Sequence, residues 1–235
     1  MDLHRTLGIA PGTKTVALVG GGGKTTCMLA LAAEAAAAGR RTVVTTTTHI
    51  FPPRQSGFAL VTEDDAAAVR MAWEQGLIVA AGRPQPDGRL ARPDEAAWDH
   101  IMREAEAVYI EADGSKGLPL KWPAAWEPAL PPEAEQVLLL TGLTALDKPV
   151  AEACHRAELM RQELGIYQSV IDEELMAQVL FAGYGRLKPT VVINQADTEE
   201  LALRGRKLAA LLAELGLPRS AVISLHEPAD GVGGN

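Results

Sequence analysis

Short apolar runs alternate with amphipathic stretches along most of the chain, and this alternation predicts strands and helices in turn. Residues 15–19 (Thr-Val-Ala-Leu-Val) are an apolar run that ends in glycines, the pattern of a strand buried on both faces. The alanine-rich stretch 24–38, stopped by Gly39, reads as a helix. Residues 41–45 (Arg-Thr-Val-Val-Thr) are β-branched and read as a second buried strand. Strand, glycine turn, helix and strand within about 30 residues make a βαβ unit, which requires parallel pairing. The same reading places strands at 77–80, 107–110, 136–140, 190–193 and 221–224. Helices are expected at 63–75, 93–105, 150–164, 172–181 and 199–215. Prolines and glycines between 82 and 93 predict a hairpin or lobe-edge loop, and five prolines between 115 and 132 predict a long loop after the 107–110 strand. Residues 231–235 read as a frayed tail. The expected fold class is α/β: one three-layer, P-loop NTPase-like domain over residues 1–230, with a mostly parallel sheet and a Pro-rich insertion.

Composition narrows the partners. The chain has 235 residues, 47% of them hydrophobic and 22% charged, which suits a globular domain and excludes a disordered one. Its net charge of -8 argues against nucleic-acid binding but leaves room for a local basic pocket. The longest apolar stretch, residues 28–38, is interrupted by Glu34, so no membrane span is expected. Two cysteines, Cys27 and Cys154, without C-x-x-C spacing, argue against a disulfide framework or a cysteine zinc site and suit a cytoplasmic location.

The sharpest chemical signal is Gly20, Gly21, Gly22, Gly23, Lys24, Thr25 and Thr26, placed between a buried strand and a helix. Small residues let successive backbone N–H groups point at one anion, and the helix start adds its partial positive charge. Lys24 is expected to reach the β- and γ-phosphates of a nucleoside triphosphate (ATP or GTP), with the Thr25 hydroxyl holding Mg2+. Leu18 stands where the pattern G-x-x-x-x-G-K-[ST] has its first glycine.

Other candidates sit at strand ends, where open α/β sheets bind their ligands. Residues 45–48 are four threonines followed by His49, so Thr47, Thr48 and His49 are candidates to line the crevice; the plain alternative is a β-branched strand running into a turn. Glu111 and Asp113 follow the 107–110 strand, as the metal-bearing acid of a P-loop protein should. Asp113 is the expected metal partner of Thr25, and Glu111 a group that orients water. In the following loop Lys116 and Lys121 are expected to screen transferred charge, while Trp122 and Trp126 either stack on a base or anchor the loop. Asn194-Gln195-Ala196-Asp197 resembles the guanine-reading N-K-x-D of GTPases, with Gln195 replacing the lysine; a turn and helix cap is the alternative. Ser224 is a further candidate to sit over the base. Cys154-His155-Arg156 has metal-ligand residue types without metal-ligand spacing.

Together, Gly-Gly-Gly-Gly-Lys-Thr-Thr, Thr-Thr-Thr-Thr-His, Glu-Ala-Asp-Gly-Ser-Lys-Gly and the late Asn-x-Ala-Asp resemble the YqeC family along residues 15–225. The resemblance implies a cytoplasmic P-loop protein that assists maturation of selenium-dependent molybdenum hydroxylases. Its implied partners are a molybdenum hydroxylase or other cofactor-maturation proteins. It places the family's phosphate loop on Gly20 to Thr26, its acidic motif on Glu111, Asp113 and Lys116, and its late motif on Asn194 to Asp197. The leading expectation is a magnesium-dependent nucleoside triphosphatase. Two alternatives stand beside it: a kinase or ATP-dependent ligase acting on a cofactor precursor, and a nucleotide-gated insertion chaperone with little turnover.

Overall fold

The computed structural model describes residues 2–63 and 65–225, so the tail expected at 231–235 lies outside the described residues. In chain order the first half contains α1 (Leu3–Thr6), β1 (Thr15–Gly20), α2 (Lys24–Ala37), β2 (Thr42–Thr46), β3 (Phe58–Val61), α3 (Ala66–Glu74), β4 (Ile78–Ala81), α4 (Glu95–Glu104) and β5 (Ala107–Glu111). The second half contains β6 (Gln136–Gly142), α5 (Val150–Ala153), α6 (Ala157–Leu164), α7 (Glu173–Tyr184), β7 (Thr190–Asn194), α8 (Glu199–Glu214) and β8 (Ser220–Val222). The eight strands form one sheet in the order β8-β7-β6-β1-β5-β2-β4-β3. Every pairing in it is parallel.

Alternation along β1 explains the layers. Val16 and Leu18 face α1 and α2, together with Met28 and Leu31 of α2. Ala17 and Val19 face the other side, where α5 to α8 pack. The β4 and β5 positions Val79, Val108 and Ile110 continue that second face under α3 and α4. Both faces of the central strands are therefore apolar, as a parallel sheet between helical layers demands. This is a three-layer α/β fold around an all-parallel central sheet. No helix among the described residues is long and apolar enough to cross a membrane.

Three expectations need correction. The helix expected over 150–164 is broken: Cys154–His155 forms a short parallel pair with Leu120–Lys121 of the Pro-rich loop, and Arg156 turns left-handed at φ 63° before α6 begins. Residues 58–61, given no strand in the sequence reading, form the sheet edge β3 against β4. The cap of α8 is Thr198, whose hydroxyl accepts from the Leu201 amide at 3.1 Å, so Asp197 lies before the cap. The 82–93 region does contain a hairpin, Arg83–Pro84 against Leu90–Ala91, which also pairs with His49–Ile50.

The turn from β1 into α2 has little room. Gly22 has φ +73°, and a Cβ there would lie 2.2 Å from the Gly142 amide nitrogen at the end of β6. Gly39, at the end of α2, has φ +79° but open space around it. An alanine at either position meets the left-handed backbone penalty of about 1–2 kcal/mol. Only at position 22 must backbone move as well. Urea unfolding should therefore show Gly22→Ala losing at least about 1 kcal/mol more than Gly39→Ala. Equal losses would mean that the loop yields freely to a side chain.

Candidate functional site

The glycine loop is fixed from three sides. Gly21 donates its amide to Leu140 O of β6 at 2.9 Å, and Gly22 donates to Leu118 O of the Pro-rich loop at 3.1 Å. Asn194, at the end of β7, donates its side-chain amide to Gly22 O at 2.9 Å. The first intrahelical bond of α2 runs from the Cys27 amide to Gly23 O. The amides of the first turn, Lys24 to Thr26, thus have no partner inside the helix, the arrangement that gathers anions.

Beneath the loop lies Asp113, wholly buried. Its two oxygens accept from the Gly20 amide at 3.1 and 3.0 Å, and one also accepts from the Tyr184 hydroxyl at 3.0 Å. Lys24 Nζ stands 3.3 Å from one oxygen, and Lys121 Nζ 3.1 Å from the other. Lys121 also donates to Gly114 O at 2.6 Å and pairs with Glu127 at 3.1 Å. Glu127 in turn binds Arg156 at 2.6 Å. This network joins the glycine loop, the Pro-rich loop, the α5–α6 break and α7. A buried carboxylate is tolerated there because four donors surround it. Burial, and the negative charge of Asp113 after it, push the Tyr184 hydroxyl far above the ordinary tyrosine range, so it remains a donor.

Glu111 is the carboxylate that meets Thr25: the threonine hydroxyl donates to Glu111 Oε2 at 2.8 Å. Burial pushes the Glu111 carboxyl above the usual carboxylate range, with Lys24 and the Thr25 hydroxyl opposing that shift. Lys24 Nζ donates to Gly20 O at 2.7 Å and lies 3.9 Å from Glu111.

These groups open into a cleft of about 710 Å³ at the carboxyl ends of the strands. Gly23, Lys24, Thr25, Thr26 and Glu111 form its floor. Asn194, Gln195, Asp197, Thr144 and Leu225 form one wall, and Lys116, His49, Ile50, Phe51 and Arg89 line it elsewhere. The structure thus gathers nearly all the expected strand-end motifs at one opening. Gly20, Gly21 and Gly22 shape the turn from below, while Asp113 and Lys121 do not line the cleft, and of the expected Thr47, Thr48 and His49 only His49 does. The expectation that Asp113 faces Thr25 does not match this geometry, because its oxygens are turned under the loop. The crevice role expected of Lys121 fails for the same reason.

The threonine run divides its labour. Thr45 donates to Ala81 O at 2.9 Å, and Thr46 donates to Glu111 O at 2.8 Å, tying β2 to its neighbours. Thr48 bonds through its amide to the Thr46 hydroxyl at 2.9 Å. The Thr47 hydroxyl is buried and makes no hydrogen bond among the described residues. Of the tryptophans, Trp122 is packed in the core and donates to Glu163 at 3.0 Å. Trp126 is exposed, with Arg156 6.0 Å from its ring. His155 is held neutral, pushed down to about 4 by burial and then by the neighbouring Arg156 charge. Asn194 is fully engaged, its oxygen accepting from the Leu225 amide at 2.9 Å. Ser224 donates to Asp197 at 2.5 Å. Four residues that sequence reasoning missed, Tyr184, Glu127, Phe51 and Arg89, lie far from any glycine motif, and only the fold brings them in.

Residues 16–158 match the family model described as YqeC protein. The chain belongs to the YqeC family. The matched span covers the glycine loop, the threonine run, and both Glu111 and Asp113, while the wall built by Asn194 to Asp197 lies beyond it. No curated protein matches the sequence. Among solved structures the chain is similar to the crystal structure of hydrogenase maturation factor HypB from Archaeoglobus fulgidus, at 14% identity and a TM-score of 0.41. That alignment covers 95% of this chain and 84% of the other.

The two acids of this YqeC-family site should separate in a denaturation experiment. Asp113→Asn leaves Lys24 and Lys121 buried beside a neutral group and should cost about 3–5 kcal/mol in urea unfolding. Glu111→Gln removes a charge that burial already disfavours and should change stability by no more than about 1 kcal/mol. A reversed order would show that Glu111, and not Asp113, holds the loop.

Proposed function

We propose that this YqeC-family protein is a magnesium-dependent nucleotide-binding protein that hydrolyses a nucleoside triphosphate, GTP or ATP. The observation that carries this reading is the start of α2, where unpartnered amides, Lys24 and the Thr25–Glu111 pair share one cleft floor. The triphosphate binds with its β- and γ-phosphates on those amides. Lys24 moves its ammonium from Gly20 O onto the phosphate oxygens. The Asp113 carboxylate behind Lys24 keeps that lysine aimed, and so acts on phosphate only through it.

The donor set fits magnesium: a hydroxyl and a carboxylate, both oxygen ligands, with space for phosphate and water. Thr25 and Glu111 would hold the ion, which neutralises charge building on the phosphate oxygens. This assigns to Glu111 the metal role that the sequence alone suggested for Asp113. Thr47, whose hydroxyl is buried, does not line the cleft, so Glu111 on the cleft floor is the group we assign to orienting the attacking water. Lys116 at the cleft lip screens the transferred charge. Asp197 reads the base edge and Asn194 holds Gly22, so the late motif serves both ends of the nucleotide. The biological setting, as an accessory factor in maturation of selenium-dependent molybdenum hydroxylases, is supported by family membership.

Calorimetric titration with GTP and with ATP, each with magnesium, tests the assignment. Lys24→Ala should weaken triphosphate binding by about tenfold or more, the loss of charge-assisted hydrogen bonds. Asp197→Ala should weaken GTP by about tenfold and leave ATP unchanged if guanine is the base. Wild-type binding and phosphate release by Lys24→Ala would end the triphosphatase reading. Equal behaviour of both nucleotides in Asp197→Ala would remove guanine reading from this wall.

A further inference from the structure

The floor and the Asn194–Asp197 wall account for a nucleotide, but the cleft has a differently built side. His49–Ile50 pairs with Leu90–Ala91, which pairs with Arg83–Pro84, so three short segments make an antiparallel ribbon beside the main sheet. The ribbon is clamped. Ile50 and Leu90 are buried in the core beneath α2, and the backbone at Gly82 approaches so closely that a Cβ there would meet Leu90 Cβ at 2.7 Å. What this anchored ribbon brings to the cleft lining is Phe51, exposed over 60% of its surface, and Arg89. Arg89 is held in one orientation by Asp87, which accepts from its Nε at 2.8 Å and its Nη2 at 2.5 Å. Its remaining donors are unused by that pair.

Lys116 lines the same cleft, an exposed cation at φ 52°. A left-handed lysine costs on the order of 1 kcal/mol, and such strain persists where the surroundings enforce it, often at ligand sites. In a chain of net charge -8, Lys116 and Arg89 lining one cleft with an exposed aromatic ring therefore stand out. Cations suit an anionic group, and a phenyl face suits a flat apolar one. Asp87 sets a limit on charge, so a small anion fits this side better than a second polyphosphate.

We propose that Phe51, Arg89 and Lys116 form a second ligand subsite, which takes a small anion with a planar apolar face beside the triphosphate. This rests on the nucleotide reading for the occupant of the floor. It deepens that reading by giving the protein a second small-molecule ligand.

Phenyl phosphate is the probe. Calorimetry is run on the full chain saturated with magnesium and the β,γ-imido analogue of the triphosphate that binds, with inorganic phosphate and benzyl alcohol as comparators. Phenyl phosphate should bind in the presence of the analogue, at least about tenfold more tightly than either comparator. Arg89→Gln should weaken it about tenfold and Phe51→Ala about threefold to tenfold, in proteins whose thermal melts match the wild type. Competition between phenyl phosphate and the analogue would overturn the proposal, because the probe would then occupy the phosphate loop. So would absence of binding, insensitivity to both substitutions, or inorganic phosphate binding equally well. If no triphosphate binds the wild type, the nucleotide reading fails separately. Phenyl phosphate titrated into Lys24→Ala, with and without Arg89→Gln, then decides the subsite: a loss with Arg89→Gln upholds it, and no binding or no difference overturns it.

Discussion

A buried carboxylate holds this site together. Asp113 has no exposed surface, yet it lies between two lysines, a backbone amide and a tyrosine hydroxyl. Removing a charge from water costs several kcal/mol, and the cost is recovered only if every partner is in place. Gly20, Lys24, Lys121 and Tyr184 are therefore not independent choices. The left-handed glycine turn presents the Gly20 amide to the carboxylate. The Pro-rich loop must fold back to deliver Lys121, and α7 must end where Tyr184 can reach. Glu127 and Arg156 extend the same demand to the break between α5 and α6. The shape of the phosphate loop is thus set by residues more than 90 positions away in sequence.

That dependence explains what the sequence could and could not say. Central strands read clearly because parallel strands buried on both faces leave runs such as 15–19 and 190–193 without polar interruption. The helix over 150–164 was misread because its composition is helical throughout. It breaks because Leu120–Lys121 pairs with Cys154–His155, a contact between segments that no local pattern links. Edge strand β3 was missed since four residues with one face half covered carry little periodic signal.

At the site, residue types were legible and orientations were not. Glu111 and Asp113 are two apart at a strand end, and the pattern alone does not say which turns to the cleft and which turns under the loop. The distinction depends on Lys121 and Tyr184, the first expected in the crevice and the second not singled out. The threonine run shows the same limit. Four similar hydroxyls divide into two that tie strands together, one bonded within its turn and one without a partner.

Asn194 shows how a strand-end motif can fix a distant loop. Its amide holds Gly22 O, and its oxygen holds the Leu225 amide, so both ends of the side chain are already engaged. It therefore ties the glycine loop to the end of the chain's described part. Asp197, which accepts from the Ser224 hydroxyl, lies one residue before the Thr198 cap and lines the cleft wall. A Cβ on Gly23 would lie 2.7 Å from the Asn194 amide nitrogen. The wall and the glycine loop therefore pack without a gap at this point. The Asn194 side chain, seated against Gly23 and bonded to Gly22 O, is thus the point at which the end of β7 meets the glycine loop.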